Sequence, residues 1–297
     1  MTNQTRLKIA TQKSGRLTDN SLDLLKKSGI KLTRSKDQLF CKARNFPLDV
    51  FFVRDDDIPA FVATDVCQIG VVGANTLKEK QLLDNDDGLN QLETLLELGF
   101  GECRLSFAVP AADEWTGPQF LDGKRIATSY KGMVQDYLDQ HNLKAKIVTM
   151  EGAVEVAPRT GMADVICDLV STGATLASNG MKEVESIFES QSVLIQNPNI
   201  TDDEAEILDR LMMRIRGVKR AESSKYIMLH APKDALEDIK AALPGSESPT
   251  VLNLQGIDDK VAIHAVCDEA VFWETMEELQ ARGASSILVL PIEKMSD

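Results

Sequence analysis

The chain is poor in the residues on which catalysis and metal binding most often depend. Its 297 residues include three histidines and five cysteines. Cys41, Cys67, Cys103, Cys167 and Cys267 form no CxxC pair, so neither a disulfide framework nor a thiolate metal site is expected. The thiols should be reduced and mostly buried. His141, His230 and His264 are too far apart in sequence to make a local metal motif. No stretch reaches the roughly 18 apolar residues that a membrane span needs. The opening MTNQTRLKIATQK has no signal-peptide apolar run, so the expected location is cytoplasmic. GxxxxGK[ST] and GxGxxG are both missing, and any nucleotide must be held without them.

Positive charge is also scarce. With 33 Lys and Arg against 46 Asp and Glu, the formal net charge is −13. That argues against a nucleic-acid partner, whose affinity comes mainly from phosphate neutralisation. Small polyphosphates remain within reach if a few basic groups, backbone N–H donors and Mg²⁺ are placed against the overall field. The remaining composition, 43% hydrophobic and 27% charged, is that of a globular protein able to bury proper cores. The length predicts two or three domains, and no fixed-period repeat suggests a solenoid.

Strand and helix signals alternate from the start. LKIA (7–10) reads as a strand, a helix runs from about Asp19 to Lys27, and DVFFVR (49–54) and QIGVVG (68–73) are strands. A second α/β stretch offers RLSFAV (104–109), KRIATS (124–129), AKIVTM (145–150) and ADVICDLV (163–170), with helices expected around 131–141 and 152–161. This alternation predicts largely parallel sheets with helices on both faces. SVLIQ (192–196) and a long helix over about 201–218 follow, where the chain is expected to cross back to the first lobe. The last part reads βαββαβ: strands 225–231, 250–254, 260–266 and 285–291, and helices 233–243 and 269–282, the first stopped by Pro244-Gly245. The expected fold is a two-lobed α/β body resembling type II periplasmic-binding-protein lobes, followed by a ferredoxin-like domain. Lobe I takes residues 1–103 and 190–222, lobe II 104–189, and the tail domain 223–297.

The strongest chemical signal is DLVSTGAT, Asp168–Thr175. An apolar strand ends there, and ligands of open α/β sheets sit at carboxyl ends of strands. Ser171, Thr172, Gly173, Ala174 and Thr175 then precede an expected helix, whose free N–H groups and dipole suit a phosphate. Asp164 and Asp168 would repel a phosphate but can accept hydrogen bonds from ribose hydroxyls. A plain turn with an N-cap would also account for the STG pattern. Lys13 and Arg16 follow the first strand, and Arg54 ends the strand DVFFVR just before Asp55-Asp56-Asp57. Such cations suit pyrophosphate or triphosphate oxygens, although solvated loop charge explains any one of them alone. Glu151 and Glu155, four apart, would face one way on a helix.

Taken together, QKSGRL (12–17), VRDDDIP (53–59), KRIATSY (124–130), EGAVEVAPR (151–159) and DLVSTGATL (168–176) resemble the catalytic part of the ATP phosphoribosyltransferase family. SKYIMLHAP (224–232), SPT (248–250) and GASSILVLPIEKM (283–295) resemble the regulatory domain of that family's long form. Cys67-Gln68 departs from the family, which often has an acidic residue here, and leaves the role of position 68 open. The resemblance implies attack of adenine N1 of ATP on C1 of phosphoribosyl pyrophosphate, with Mg²⁺ on the substrate and no protein nucleophile. It implies that Ser171 to Thr175 cradle the 5-phosphate while Asp168, with Asp164, holds the ribose hydroxyls. Arg54 and Lys13 would face pyrophosphate, Arg16 the ATP triphosphate, and Tyr130 the nucleotide site. Histidine is implied as a feedback inhibitor contacting His230, Thr250 and Ser286, with AMP as a further inhibitor, in a homo-oligomer of dimer-to-hexamer type. A two-lobed small-ligand binding or sensor module without catalysis would share the architecture, because fold does not fix function.

Overall fold

The computed structural model describes residues 5–35, 38–84, 88–243, 249–268 and 273–295. The Pro244-Gly245 stop, Ser248 and residues 269–272 of the last expected helix lie outside them. In chain order, β1 (Leu7–Gln12), α1 (Arg16–Lys27), β2 (Phe40–Lys42), β3 (Leu48–Val53), α2 (Ile58–Ala63), β4 (Ile69–Gly73), α3 (Ala74–Leu83) and β5 (Glu93–Glu97) open the fold. Next come β6 (Cys103–Pro110), β7 (Arg125–Thr128), α4 (Lys131–Gln140), β8 (Lys146–Thr149), β9 (Val165–Val170), α5 (Ala174–Ser178) and β10 (Met181–Ser190). Then follow β11 (Ser192–Gln196), α6 (Asp202–Glu222), β12 (Ser224–Pro232), α7 (Leu236–Ala242), β13 (Thr250–Leu254), β14 (Ile257–Asp268), α8 (Trp273–Ala281) and β15 (Ser285–Pro291).

Three sheets result, with strand orders β2-β3-β1-β4-β11-β5, β10-β6-β9-β7-β8 and β13-β14-β12-β15. The first two are mixed rather than largely parallel. β1 pairs parallel with β3 and β4, and β7 with β8 and β9. β11 runs antiparallel to both β4 and β5, and β6 antiparallel to β9 and β10. The reason is the double crossover. The chain leaves the first sheet along β5 and returns along β11, so these neighbours must oppose each other, as must β6 and β10 in the second sheet. Parallel pairing survives only where a helix carries the chain back between strands.

Each lobe closes over its own core. Ile58, Val62, Val72 and Ile195 pack on one face of the first sheet, and Phe107, Leu121, Ile126, Leu138 and Val165 in the second lobe. Gly70 of β4 is required by closeness: a Cβ there would stand 2.7 Å from Ile58 Cγ2 and 2.9 Å from Val62 Cγ2. Gln68 spans the edge of β1, its Oε1 accepting from Lys8 N at 3.0 Å, while Gln68 N donates to Lys8 O at 3.1 Å. That neutral amide therefore has a structural role at the position where the family often has an acid.

No α-helix forms over 152–161. Gly152 (φ +135) and Ala153 (φ +50) are left-handed, and only a 3-10 turn, Val154–Val156, follows before Pro158. Glu151 and Glu155 consequently share no helix face. α6, by contrast, opens on a capping box: Thr201 N and Oγ1 donate to Glu204 Oε2 at 3.0 and 2.9 Å, and Glu204 N donates to Thr201 Oγ1 at 3.4 Å.

The chain divides into two compact units. One holds Lys31–Ile207 with the segment up to Asp23, and the other holds Leu24–Ile30 with the segment from Leu208 onward. In the second, Ile227, Leu229, Ile239, Ile263 and Leu279 form the core between the four-stranded sheet and α7 and α8. Its strand and helix order is the βαββαβ expected from the sequence. All five cysteines are free, and all but Cys103 are buried. Burial pushes the Cys67 thiol up to about 12 and that of Cys267 to about 11. Among the described residues, no helix is long and apolar enough to cross a membrane.

Candidate active site

β9 is buried through Val165, Ile166 and Cys167, and emerges at Asp168. Asp168 is half-buried, and Leu169 N donates to its Oδ1 at 2.8 Å. Burial raises its pKa above the usual carboxylate range; the Leu169 N–H pulls it down and the nearby Glu155 charge pushes it up further. Beyond it the chain turns through Gly173, whose φ of +74 places it in the left-handed region. The side chains of Ser171, Thr172, Ala174 and Thr175 are exposed. Ala174 N donates to Thr172 Oγ1 at 3.5 Å, and Arg104 Nη1 to Ser171 O at 3.2 Å. Glu155, Asp168, Ser171, Thr172, Gly173 and Thr175 border a cavity of about 90 Å³. The helix after the loop, α5, has only five residues. Its dipole is correspondingly small, and the loop's own hydroxyls and N–H groups are what it offers an anion.

Asp164 is not part of this loop. It precedes β9, at the other end from Asp168, about 13 Å away at strand rise. There it is held by Arg125, whose Nη2 donates to Oδ1 at 2.8 Å, while Arg125 N and Nε donate to Oδ2 at 2.9 and 3.1 Å. These hydrogen bonds hold its pKa down at about 2. The sequence places two acids four residues apart on one strand, but only the sheet shows that they lie at opposite ends.

Lys13 and Arg54 follow the carboxyl ends of β1 and β3. The strands pair parallel with Gln12 opposite Val53, and Lys13 N donates to Val53 O at 2.8 Å, so the two cations leave the sheet side by side. Arg16 begins α1 at the same end of β1, and all three are exposed. Arg34, which carries no motif in the sequence, also reaches here. Its guanidinium stacks 3.6 Å from the Phe52 ring centre and donates to Lys13 O at 2.8 Å.

Tyr130, at the start of α4, links the two lobes. Asn75 Nδ2 of α3 donates to its hydroxyl at 2.9 Å, and Ser190 Oγ donates to Asn75 Oδ1 at 2.8 Å. Burial raises the pKa of the phenol, Asn75 opposes this, and the charges of Asp168 and Asp55 push it higher. Tyr130 therefore lies within the field of a carboxylate from each lobe. Its hydroxyl accepts from Asn75, so its own O–H proton and its ring are what it offers a nucleotide. Asp55 accepts from Thr76 Oγ1 at 2.8 Å, while its other oxygen is buried without a partner. Burial raises the Asp55 pKa, the Thr76 bond lowers it, and Asp56 raises it. Glu79 of α3 caps α4, accepting from Gly132 N at 2.8 Å and Met133 N at 2.9 Å. Nothing in the local sequence singles out Asn75, Thr76 or Glu79, because their partners are 21 to 115 residues away.

In the second unit, Tyr226, Met228 and His230 alternate onto the sheet face opposite the core, as do His264 and Thr250, paired with Met228 and with each other in register. His230 and Thr250 share that face about 12 Å apart at ordinary strand spacing. Ser286 sits at the register shift of β15 beside His230, with φ +52. His264, passed over in the sequence reading, lies between them, its Nδ1 2.5 Å from Tyr226 Oη. A lone polar residue within the apolar run Val261–Val266 is the signal that would have found it.

The family model described as ATP phosphoribosyltransferase matches residues 54–217, and that of the HisG C-terminal domain matches residues 221–294. Among solved structures, a chain of the ATP phosphoribosyl transferase (HisG:HisZ) complex from Thermotoga maritima is 26% identical, with a TM-score of 0.60 over 71% of this chain and 96% of that one. A histidine kinase sensor domain with similarity to periplasmic binding proteins aligns over 73% of this chain and 92% of that one, at 9% identity and a TM-score of 0.49. With family models matching residues 54–217 and 221–294, the chain belongs to the ATP phosphoribosyltransferase family, enzymes of histidine biosynthesis.

Proposed function

We propose that the protein transfers the phosphoribosyl group of phosphoribosyl pyrophosphate to N1 of ATP. In that reaction the N1–C1 bond forms, the bond from C1 to pyrophosphate breaks, and pyrophosphate leaves. The observation that carries the reading is the pair of strand ends whose acids, Asp168 and Asp55, both act on Tyr130. An acid-and-hydroxyl loop, Asp168 to Thr175, ends β9, and neighbouring cations, Lys13 and Arg54, end β1 and β3. Ser171, Thr172, Gly173, Ala174 and Thr175 hold the 5-phosphate, and Asp168 alone accepts from the ribose hydroxyls. Asp164 stays with Arg125 and takes no part. Lys13 and Arg54 oppose the charge that grows on the departing pyrophosphate, and Arg16 takes the triphosphate of ATP. Catalysis is then positioning plus electrostatic stabilisation.

Mg²⁺ supplies charge neutralisation on the polyphosphates when bound. Asp168 and the loop oxygens are hard donors that fit such an ion held mainly by phosphate oxygens. In the tail domain, His230, Thr250 and Ser286, with His264 between them, form the histidine site. Apolar side chains on the sheet face, such as Leu252, 52% exposed, and Leu288, 50% exposed, suit self-association into the dimers and hexamers expected of the long form. AMP would compete at the nucleotide position.

The test is direct. The protein is incubated with ATP, phosphoribosyl pyrophosphate, Mg²⁺ and pyrophosphatase, with and without histidine, and phosphoribosyl-ATP is followed. Product that falls on adding histidine is expected. Absence of product would overturn the catalytic reading, and histidine-insensitive turnover would overturn the regulatory one.

A further inference from the structure

Within an acidic chain, α6 concentrates positive charge. Arg210, Arg214, Arg216, Lys219 and Arg220 fall within eleven residues that contain no acid. α1 ends on Lys26 and Lys27. Where the end of α1, the middle of α6 and residues 294–295 meet, the second compact unit contains a cavity of about 360 Å³, a volume usual for small-molecule sites.

Its lining has two parts. Lys27, Arg214 and Lys294 bring cationic side chains to it, Lys27 being already held by Glu222 at 2.9 Å. Met213, 62% exposed, and Met295 supply apolar surface. One wall depends on Gly217. Met295 N donates to Gly217 O at 3.3 Å, and a Cβ at 217 would stand 2.3 Å from Met295 O, so the backbone of residue 295 lies directly on the helix backbone. Ser28 also lines the cavity. It is 5% exposed, and its Oγ is buried with no hydrogen-bond partner.

We propose that this cavity is a binding site for a small organic anion with an apolar body, separate from the phosphoribosyl loop. The phosphate, sulfonate or carboxylate head lies against Arg214 and Lys294, and the body lies on Met213 and Met295. Arg214 offers a fork of donors that suits such a head. The thioethers are polarizable and adapt to varied shapes, which suits a site that selects charge more sharply than outline.

The test uses the full chain labelled with ¹³C at the methionine methyls, with Met213 and Met295 assigned through Met213→Leu and Met295→Leu. Three probes separate the contributions: naphthalene-2-sulfonate, the neutral 2-naphthalenemethanol, and inorganic sulfate. Saturable shifts of both methyls with the sulfonate are expected, at a Kd at least tenfold below that of either other probe. Lys294→Glu should weaken sulfonate binding at least fivefold, with melting temperature and turnover unchanged. If Lys294→Glu folds poorly, Lys294→Gln serves in its place with a smaller loss. Equal binding of the alcohol and the sulfonate would overturn the anion assignment. Absence of saturable shifts at Met213 and Met295, or an unaltered Kd in both Lys294 variants, would overturn the site.

Discussion

Asp168 and Asp164 are the same residue type four positions apart, one on β9 and one just before it, and their surroundings push them in opposite directions. Burial raises the pKa of Asp168, so its ionised form is less favourable in the folded chain than in the unfolded one. Asp168→Asn should therefore raise the melting temperature near pH 7, and the gain should vanish as the pH falls below the ordinary carboxylate range. Turnover should meanwhile drop by at least about tenfold if the carboxylate holds the ribose. Arg125 holds Asp164 at about 2, so its contribution to stability is present above the ordinary value of 3.8 and is lost as the pH falls towards 2. Asp164→Asn should lower the melting temperature slightly at pH 7, to an extent that disappears near pH 2, and leave the KM for phosphoribosyl pyrophosphate unchanged. A raised KM would return Asp164 to the site. Thr175→Ala should raise that KM about tenfold, the loss of one or two hydrogen bonds to a charged group. An unchanged value would remove Thr175 from the cradle.

At the scale of elements, α4 begins without a capping side chain of its own and borrows one from α3. Glu79 is only 6% exposed and satisfies two N–H groups of the first turn of α4. Glu79→Ala should leave both donors buried and cost about 2–4 kcal/mol of stability, read from urea unfolding. Glu79→Gln should recover part of this, since its one amide oxygen still accepts. Equal stability of the alanine variant and the parent would show that water replaces the cap. Because α3 belongs to the first lobe and α4 to the second, this cap and the Asn75–Tyr130 bond are non-covalent ties between lobes that the crossover strands also join.

At the scale of the whole molecule, the division into units affects how regulation should be tested. Leu211, Met212, Ile215 and Val218 of α6 are buried, and the second compact unit starts at Leu208, well before residue 223. Cutting the chain at 223 would separate α6 from its own unit, so point substitutions are the cleaner probe. His230→Ala and Thr250→Ala should each weaken histidine inhibition at least about fivefold, the lower range of an allosteric coupling energy, with turnover in the absence of histidine unchanged. His264→Ala should do the same if the residue between them shares the ligand. Inhibition curves that coincide with the parent's would move the histidine site elsewhere.

The sequence by itself determined what depends on local pattern. Apolar runs and alternation showed most of the strands, the βαββαβ order of the tail, and the glycine turn after β9, because period and turn chemistry are written within a few residues. The motifs QKSGRL, VRDDDIP and DLVSTGATL carried the family. The tertiary structure alone decided strand direction, since the out-and-back path of β5 and β11 imposes antiparallel pairing that no window of sequence contains. It alone separated Asp164 from Asp168, through the length of β9 and the pairing of Arg125. It alone assembled Asn75, Thr76, Glu79 and Arg34 around the strand ends, and Ser28 with Arg214 and Lys294 around a cavity. Such contacts join residues tens to hundreds of positions apart, and burial, which determines whether a polar group has a partner or lacks one, exists only once the chain has folded.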